Sequence, residues 1–214
     1  MSSFFTPTNY LNLNINDLDY GVMGTILIPN SNYYLTGCKD GNLYLLNKDN
    51  MGGYSLSSNQ VQQTIPLNAG LHCQPSYYKG SVNEFVYVWS ENDVLRALPY
   101  NRSSNTFSNS QISSSVNGPT GGSGAELSVS SNGSVDGTGI LWATYAFSGD
   151  AGHTNSPGIL RAFDANDITK ELWNSNQSSN DHVGAFAKFS PPTIANGHVY
   201  LATFSNQVVV YGLK

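Results

Sequence analysis

Short apolar runs alternate with polar turns along the whole chain, and no window of helical length places apolar residues at helical spacing. Val22–Ile28 is a compact apolar run stopped by Pro29 and Asn30, as suits a buried strand. Asn32–Cys38 and Leu43–Leu46 flank an Asp-Gly turn at Lys39–Asn42 and read as a hairpin. Val61–Leu67 supplies a fourth strand. The order then returns. Cys73–Tyr78, Glu84–Trp89 and Val94–Leu98 are strands, with turns at Lys79–Ser81 and Ser90–Asp93 and a polar fourth strand near Phe107–Ile112. Residues 113–124 are rich in Ser, Gly and Pro and read as a loop. A third pass runs through Ala125–Val129, Ile140–Phe147 and Ile159–Phe163 to a strand ending on Leu172 and Trp173, with a ten-residue loop at Ser148–Pro157. Asn174–Val183 reads as a loop or one helical turn. The last pass has Lys188–Ile194, His198–Phe204 and Gln207–Tyr211, without a fourth strand. Residues 1–16 are polar and Asn-rich and read as a tail carrying a small aromatic piece, Ser3–Pro7.

Aligning the third strands pairs Leu43–Leu46, Leu95–Leu98, Leu160–Phe163 and Val208–Tyr211, at spacings of 52, 65 and 48 residues. Repeats of this length with four strands each predict propeller blades. A four-stranded sheet cannot cover both of its faces alone, so such units stack. The expected fold is an all-β propeller of about four four-stranded antiparallel blades in one domain spanning 1–214. The blades cover roughly 17–67, 72–112, 125–176 and 186–213, the last completed by 3–7. The alternative is a β-sandwich of unrelated hairpins. The missing last strand predicts that Ser3–Pro7 pairs beside residues 207–213, closing the ring within one chain or, between two chains, as an eight-bladed homodimer.

Composition narrows the function classes. Charged residues make up 11% of the 214 residues and the net charge is −5. Without Lys/Arg clusters there is no basic footprint for nucleic acid or for anionic membrane surfaces. No apolar run approaches the length of a membrane span. Met1–Pro7 has neither a basic nor an apolar region of a signal peptide. The two cysteines, Cys38 and Cys73, are too few for a disulfide scaffold; two free thiols are expected, with one bridge as the alternative.

Gly158–Trp173 reads Gly-Ile-Leu-Arg-Ala-Phe-Asp-Ala, a polar turn, then Leu-Trp. This resembles the pyrroloquinoline-quinone-like (quinoprotein) β-propeller repeat. Gly41–Gly53 and Ser190–Thr203 resemble other parts of the same repeat, and the likeness covers most of residues 20–213. It implies that Trp173 docks on the neighbouring blade. It also implies one of two kinds of activity: a dehydrogenase holding pyrroloquinoline quinone with Ca²⁺ on the propeller axis, or a cofactor-free scaffold that binds protein partners. Many such dehydrogenases clasp the quinone between a Trp and adjacent cysteines, which this chain lacks. Proteins of this family are often exported.

Several residues could carry a site. Glu91, Asn92 and Asp93 offer oxygen donors that suit Ca²⁺, although Asn and Asp are also ordinary turn residues. Asp150 and His153 lie in the Ser148–Pro157 loop and could pair for acid–base chemistry. His72 and Lys188 precede first strands and could face the axis. Trp89 and Trp142 could stack on a sugar or a quinone, or pack in the core. The leading expectation is a non-catalytic binding or scaffold module without cofactor, acting on a protein or carbohydrate ligand. The alternatives are part of a quinone-dependent dehydrogenase and a carbohydrate-binding propeller.

Overall fold

The computed structural model describes residues 3–67 and 69–212. Helix α1 (Tyr10–Ile15) precedes sixteen strands. Sheet 1 holds β1 (Tyr20–Leu27), β2 (Tyr33–Cys38), β3 (Asn42–Asn47) and β4 (Gln63–Pro66) in that order. Sheet 2 holds β5 (Ser76–Lys79), β6 (Glu84–Val88) and β7 (Val94–Asn101), whose outer side is shared by β8 (Thr106–Phe107) and β9 (Ile112–Asn117). Sheet 3 holds β10 (Glu126–Ser130), β11 (Ile140–Ala146), β12 (Gly158–Asp164) and β13 (Asp167–Asn174). Sheet 4 has three strands, β14 (Thr193–Ala195), β15 (His198–Thr203) and β16 (Gln207–Gly212). All pairings within the sheets are antiparallel. The first strand β10 lies beside β5 and β14, the first strands of its neighbours, so the first strands of sheets 2 to 4 gather toward one axis. This is a β-propeller arrangement. Among the described residues no helix is long and apolar enough to cross a membrane.

Three apolar clusters join the sheets in sequence. Leu43 and Leu45 of sheet 1 meet Val86 and Val88 of sheet 2. Tyr87, Trp89 and Leu95 of sheet 2 meet Leu141, Tyr145 and Phe163 of sheet 3. Leu160 of sheet 3 meets Val199 and Leu201 of sheet 4, and Trp173 packs on Tyr211 with ring centroids 5.5 Å apart. The docking tryptophan is therefore in place. Strand alternation gives the third strands a common rule. The first and third positions of the aligned motif face the following sheet, as with Leu43 and Leu45, Leu95 and Ala97, and Leu160 and Ala162. All six are buried. The second and fourth positions face the preceding sheet.

Three expectations are corrected. The Phe107–Ile112 strand is split: β8 pairs with Tyr100 and Asn101, and β9 pairs further back on Val94–Ala97. Residues 112–117, assigned mostly to a loop, are thus a strand. Its buried position is Ser114 between the half-buried Ile112 and Val116, so a small polar residue blurs the period-two signal. Residues 1–16, read as a tail, contain α1. Ser3–Pro7 does not lie beside β16: Phe5 bridges Gly53, with Gly53 N–H donating to Phe4 O at 2.8 Å and Thr6 N–H to Gly53 O at 3.0 Å. Phe5 and Leu13 pack on Tyr44 and Leu46, covering the sheet 1 face that has no preceding blade. Closure by this segment within one chain is excluded by that placement.

Candidate functional site: the loop end of the propeller

Each sheet-to-sheet connection is hydrogen-bonded to the turn between strands two and three of a neighbouring sheet, which assembles one loop-built end. Leu67 N–H donates to Gly41 O at 2.8 Å, Asn92 N–H to Pro119 O at 2.7 Å, Ala125 N–H to Trp89 O at 3.0 Å, and Phe186 N–H to Ser156 O at 2.9 Å. The topology thus carries His72, Glu91, Asn92, Asp93, Asp150, His153 and Lys188 to this end. Only three of them come together. His153 Nδ1 and Asp150 Oδ2 are 2.6 Å apart, and Lys188 Nζ donates to Gly152 O at 3.5 Å. The His153 imidazole beside Asp150 holds that carboxyl below the usual range, with help from Gly152 N–H. The pair is exposed, and water screens it.

Asp93, Asn92, Trp89 and Trp142 are engaged in structure. Arg96 grips Asp93 with two bonds, Nε to Oδ2 and Nη2 to Oδ1, both 2.7 Å. Asn92 occupies the left-handed region at φ 54° in the turn. Trp89 is 0% exposed and its indole N–H donates to Asp93 O at 3.0 Å; of the two roles open to it, it packs in the core and offers no ring face to a ligand. Trp142 is half-buried near the opposite end of β11, its N–H donating to Ser130 Oγ at 3.0 Å. These residues do not fit a quinone with Ca²⁺: the ring is packed and the carboxylate is already neutralised by a guanidinium.

Gly118 fixes the Asp93 turn against the connection that follows it. A Cβ there would lie 1.9 Å from Asp93 O and 2.5 Å from Trp89 Nε1, a backbone clash that no rotamer relieves. Gly118→Ala is expected to cost about 2 kcal/mol, read as a lower urea midpoint with an unchanged slope.

Both cysteines are free and buried. Burial pushes the Cys38 thiol up to about 11 and the Cys73 thiol up to about 12. Since the thiolate is the reactive form, neither should be alkylated by iodoacetamide at neutral pH until the chain is unfolded, as mass spectrometry would show.

What the sequence did not single out is a groove of about 600 Å³ between the β11–β12 loop and the connection leading to sheet 4. It is lined by Phe147, Asn155, Pro157, Asn176, His182 and Ala185, among others. Its walls are fixed by Gly158 N–H to Gly184 O at 2.7 Å, by Phe147 N–H to Pro157 O at 3.1 Å, and by a bridge between Pro157 and Ala185. Phe147 is 45% exposed. The groove therefore offers one aromatic surface beside two amides and an imidazole. A second recess of about 460 Å³ lies between α1 and β1; its carboxylates Asp17 and Asp19 are paired with Lys39 at 3.4 and 2.7 Å.

No protein-family model matches the sequence, and no characterised protein matches it significantly. Among solved structures the chain is similar to two computationally designed proteins. The first is Ika8, at 10% identity and a TM-score of 0.53, over 87% of this chain and 45% of that one. The second is Ika4, at 10% identity and a TM-score of 0.51, over 86% of this chain and 88% of that one. BamB from Moraxella catarrhalis aligns with a TM-score of 0.43 at 10% identity, over 86% of this chain and 47% of that one. The chain thus spans under half of Ika8 and most of Ika4, and likeness at this identity bears on the fold alone.

Proposed function

We propose that the chain is a non-catalytic binding module, built of quinoprotein-like repeats and needing no cofactor, that holds a protein segment in the loop-end groove beside sheets 3 and 4. The observation that carries this reading is the groove itself. Phe147 presents an apolar surface, while Asn155, Asn176 and His182 offer directional hydrogen bonds beside it. An apolar anchor with a few placed polar groups is the usual make-up of a recognition site. Its walls come from segments far apart in sequence but bonded backbone to backbone, so the shape exists before a ligand arrives and little ordering is needed on binding. The placement on loops over a packed scaffold is the common one for recognition.

Selection of a random-sequence peptide library on the folded chain tests this. The selected peptides should slow hydrogen exchange in residues 147–158 and 174–185, and Phe147→Ala should weaken them at least tenfold, about 1.4 kcal/mol. Failure to select any peptide, or protection elsewhere, would overturn the reading. Capture of glycans in the same groove on an array would replace it with the carbohydrate-binding alternative.

A further inference from the structure

We propose that the outer face of sheet 4 is a self-association surface, on which two copies of this chain pack face to face about a two-fold axis. In sheets 1 to 3 the first and third motif positions of the third strand are buried against the following sheet. The equivalent pair in β16, Val208 and Val210, is 65% and 50% exposed. Val208 stands opposite Ala202 and Val210 opposite Tyr200 across the sheet, and Phe204 at the adjoining turn is 62% exposed. Sheet 4 therefore repeats the blade-to-blade surface of its predecessors, and none of the described residues covers it.

The charge pattern selects the occupant. No Asp, Glu, Lys or Arg occurs from Phe189 to Gly212. Open sheet surfaces and edges ordinarily carry charges, prolines or bulges that discourage association, and β16 carries none of these. A contiguous uncharged apolar patch marks an interaction surface. On a chain of net charge −5, this face is where two identical molecules meet without like-charge repulsion. It also offers no complementary charge that would select a charged partner.

The packing on sheet 1 sets the symmetry. A head-to-tail contact would seat sheet 4 of one copy on the free face of sheet 1 of the next. That face is already covered by Phe5 and Leu13 on Tyr44 and Leu46, clamped by the two bonds to Gly53. The arrangement left is isologous, with sheet 4 on sheet 4, which is also the commonest symmetry of small oligomers.

Sedimentation equilibrium of the full chain should give twice the 23.1 kDa chain mass. Val210→Glu and Val210→Lys should each sediment as monomers with an unchanged far-UV circular dichroism spectrum, because the site is half exposed in one copy. Mixing the two variants should restore the dimer, since opposite charges then meet across the axis. Val208→Glu repeats the test at a more exposed position should either variant fold poorly. A monomeric natural chain, a dimer that survives Val210→Glu and Val208→Glu, assemblies larger than two, or no recovery on mixing would each overturn the proposal.

Discussion

Replacing Trp173 with alanine is expected to destabilise the chain by about 3 kcal/mol and to loosen sheet 4 before the rest. The size follows from truncating a large, mostly buried aromatic ring. The local character follows from how little else holds sheet 4. Its cluster has four fully buried members, Leu160, Val183, Val199 and Leu201, whereas the cluster between sheets 2 and 3 has fifteen. Trp142, Trp173 and Tyr211 are the rings packed at that thin junction, and Tyr211 Oη donates to Asp181 O at 2.9 Å. Removing the indole strips Tyr211 of its edge-on partner and opens the seam to water. In stacked repeats a weakened interface uncouples the terminal unit while the others persist. For a domain of this size the loss corresponds to a melting temperature lower by about 6–10 °C. Hydrogen exchange should speed up in residues 193–212 while β6 and β11 stay protected. Trp173→Phe should recover part of the loss, and Tyr211→Phe should lose only the phenolic bond, about 1 kcal/mol. Uniform acceleration across all four sheets would refute the terminal-unit account.

The same junction shows how far the sequence was legible. Gly158–Trp173 announces its strand, turn and docking ring because β-branched, aromatic and turn residues all point the same way locally. The third strands could be aligned for the same reason, and their first and third positions are buried as expected in sheets 1 to 3. Legibility failed where tertiary contacts decide. Tyr10–Ile15 is Asn-rich and buries only Leu13, so no amphipathic stripe marks it, and its helix is held by packing on sheet 1. Phe5 could be seen as a stray aromatic, but nothing local says whether it meets Tyr44 or β16. The candidate residues were read from the turns, and the turns do gather at one end. For Asp93 and Trp89 both a site role and a structural role stayed open, because a sequence does not show that Arg96 claims one and sheet 3 buries the other. The groove has no local sequence signal, because Phe147 and His182 are brought together by backbone contacts between segments, the Pro157–Ala185 bridge and the Gly158–Gly184 bond among them.

Glu126 supplies the second large effect, and it depends on pH. The carboxyl opens β10 beside the axis and is 2% exposed. It accepts a 3.1 Å bond from the N–H of Phe189, a residue held at φ 60°, and Glu126 stands opposite Thr144 in the strand pair. Burial pushes its pKa up to about 7, against which the Phe189 N–H pulls down. In the unfolded chain the same carboxyl titrates near 4.5. Between those values the folded state holds a proton that the unfolded state has released. Stability must therefore fall as pH rises through this window. Below it both states are protonated and above it both are ionised, so this group adds no slope in either range. The full difference is about 3 kcal/mol, at 1.36 kcal/mol per pH unit. A glutamine side chain at this position would mimic the protonated carboxyl and still accept from Phe189. Glu126→Gln should thus match the natural chain near pH 4 and exceed its stability at pH 8 by up to about 3 kcal/mol. Cys73, the thiol nearest this carboxyl, titrates near 12 and stays silent throughout. Lys188 precedes Phe189 in the chain, but its ammonium is turned to Gly152 O at 3.5 Å. Urea denaturation of both proteins from pH 4 to pH 8 separates the cases. A difference between them that does not change with pH would mean that the Glu126 carboxyl titrates alike in the folded and unfolded chains, and would refute this account.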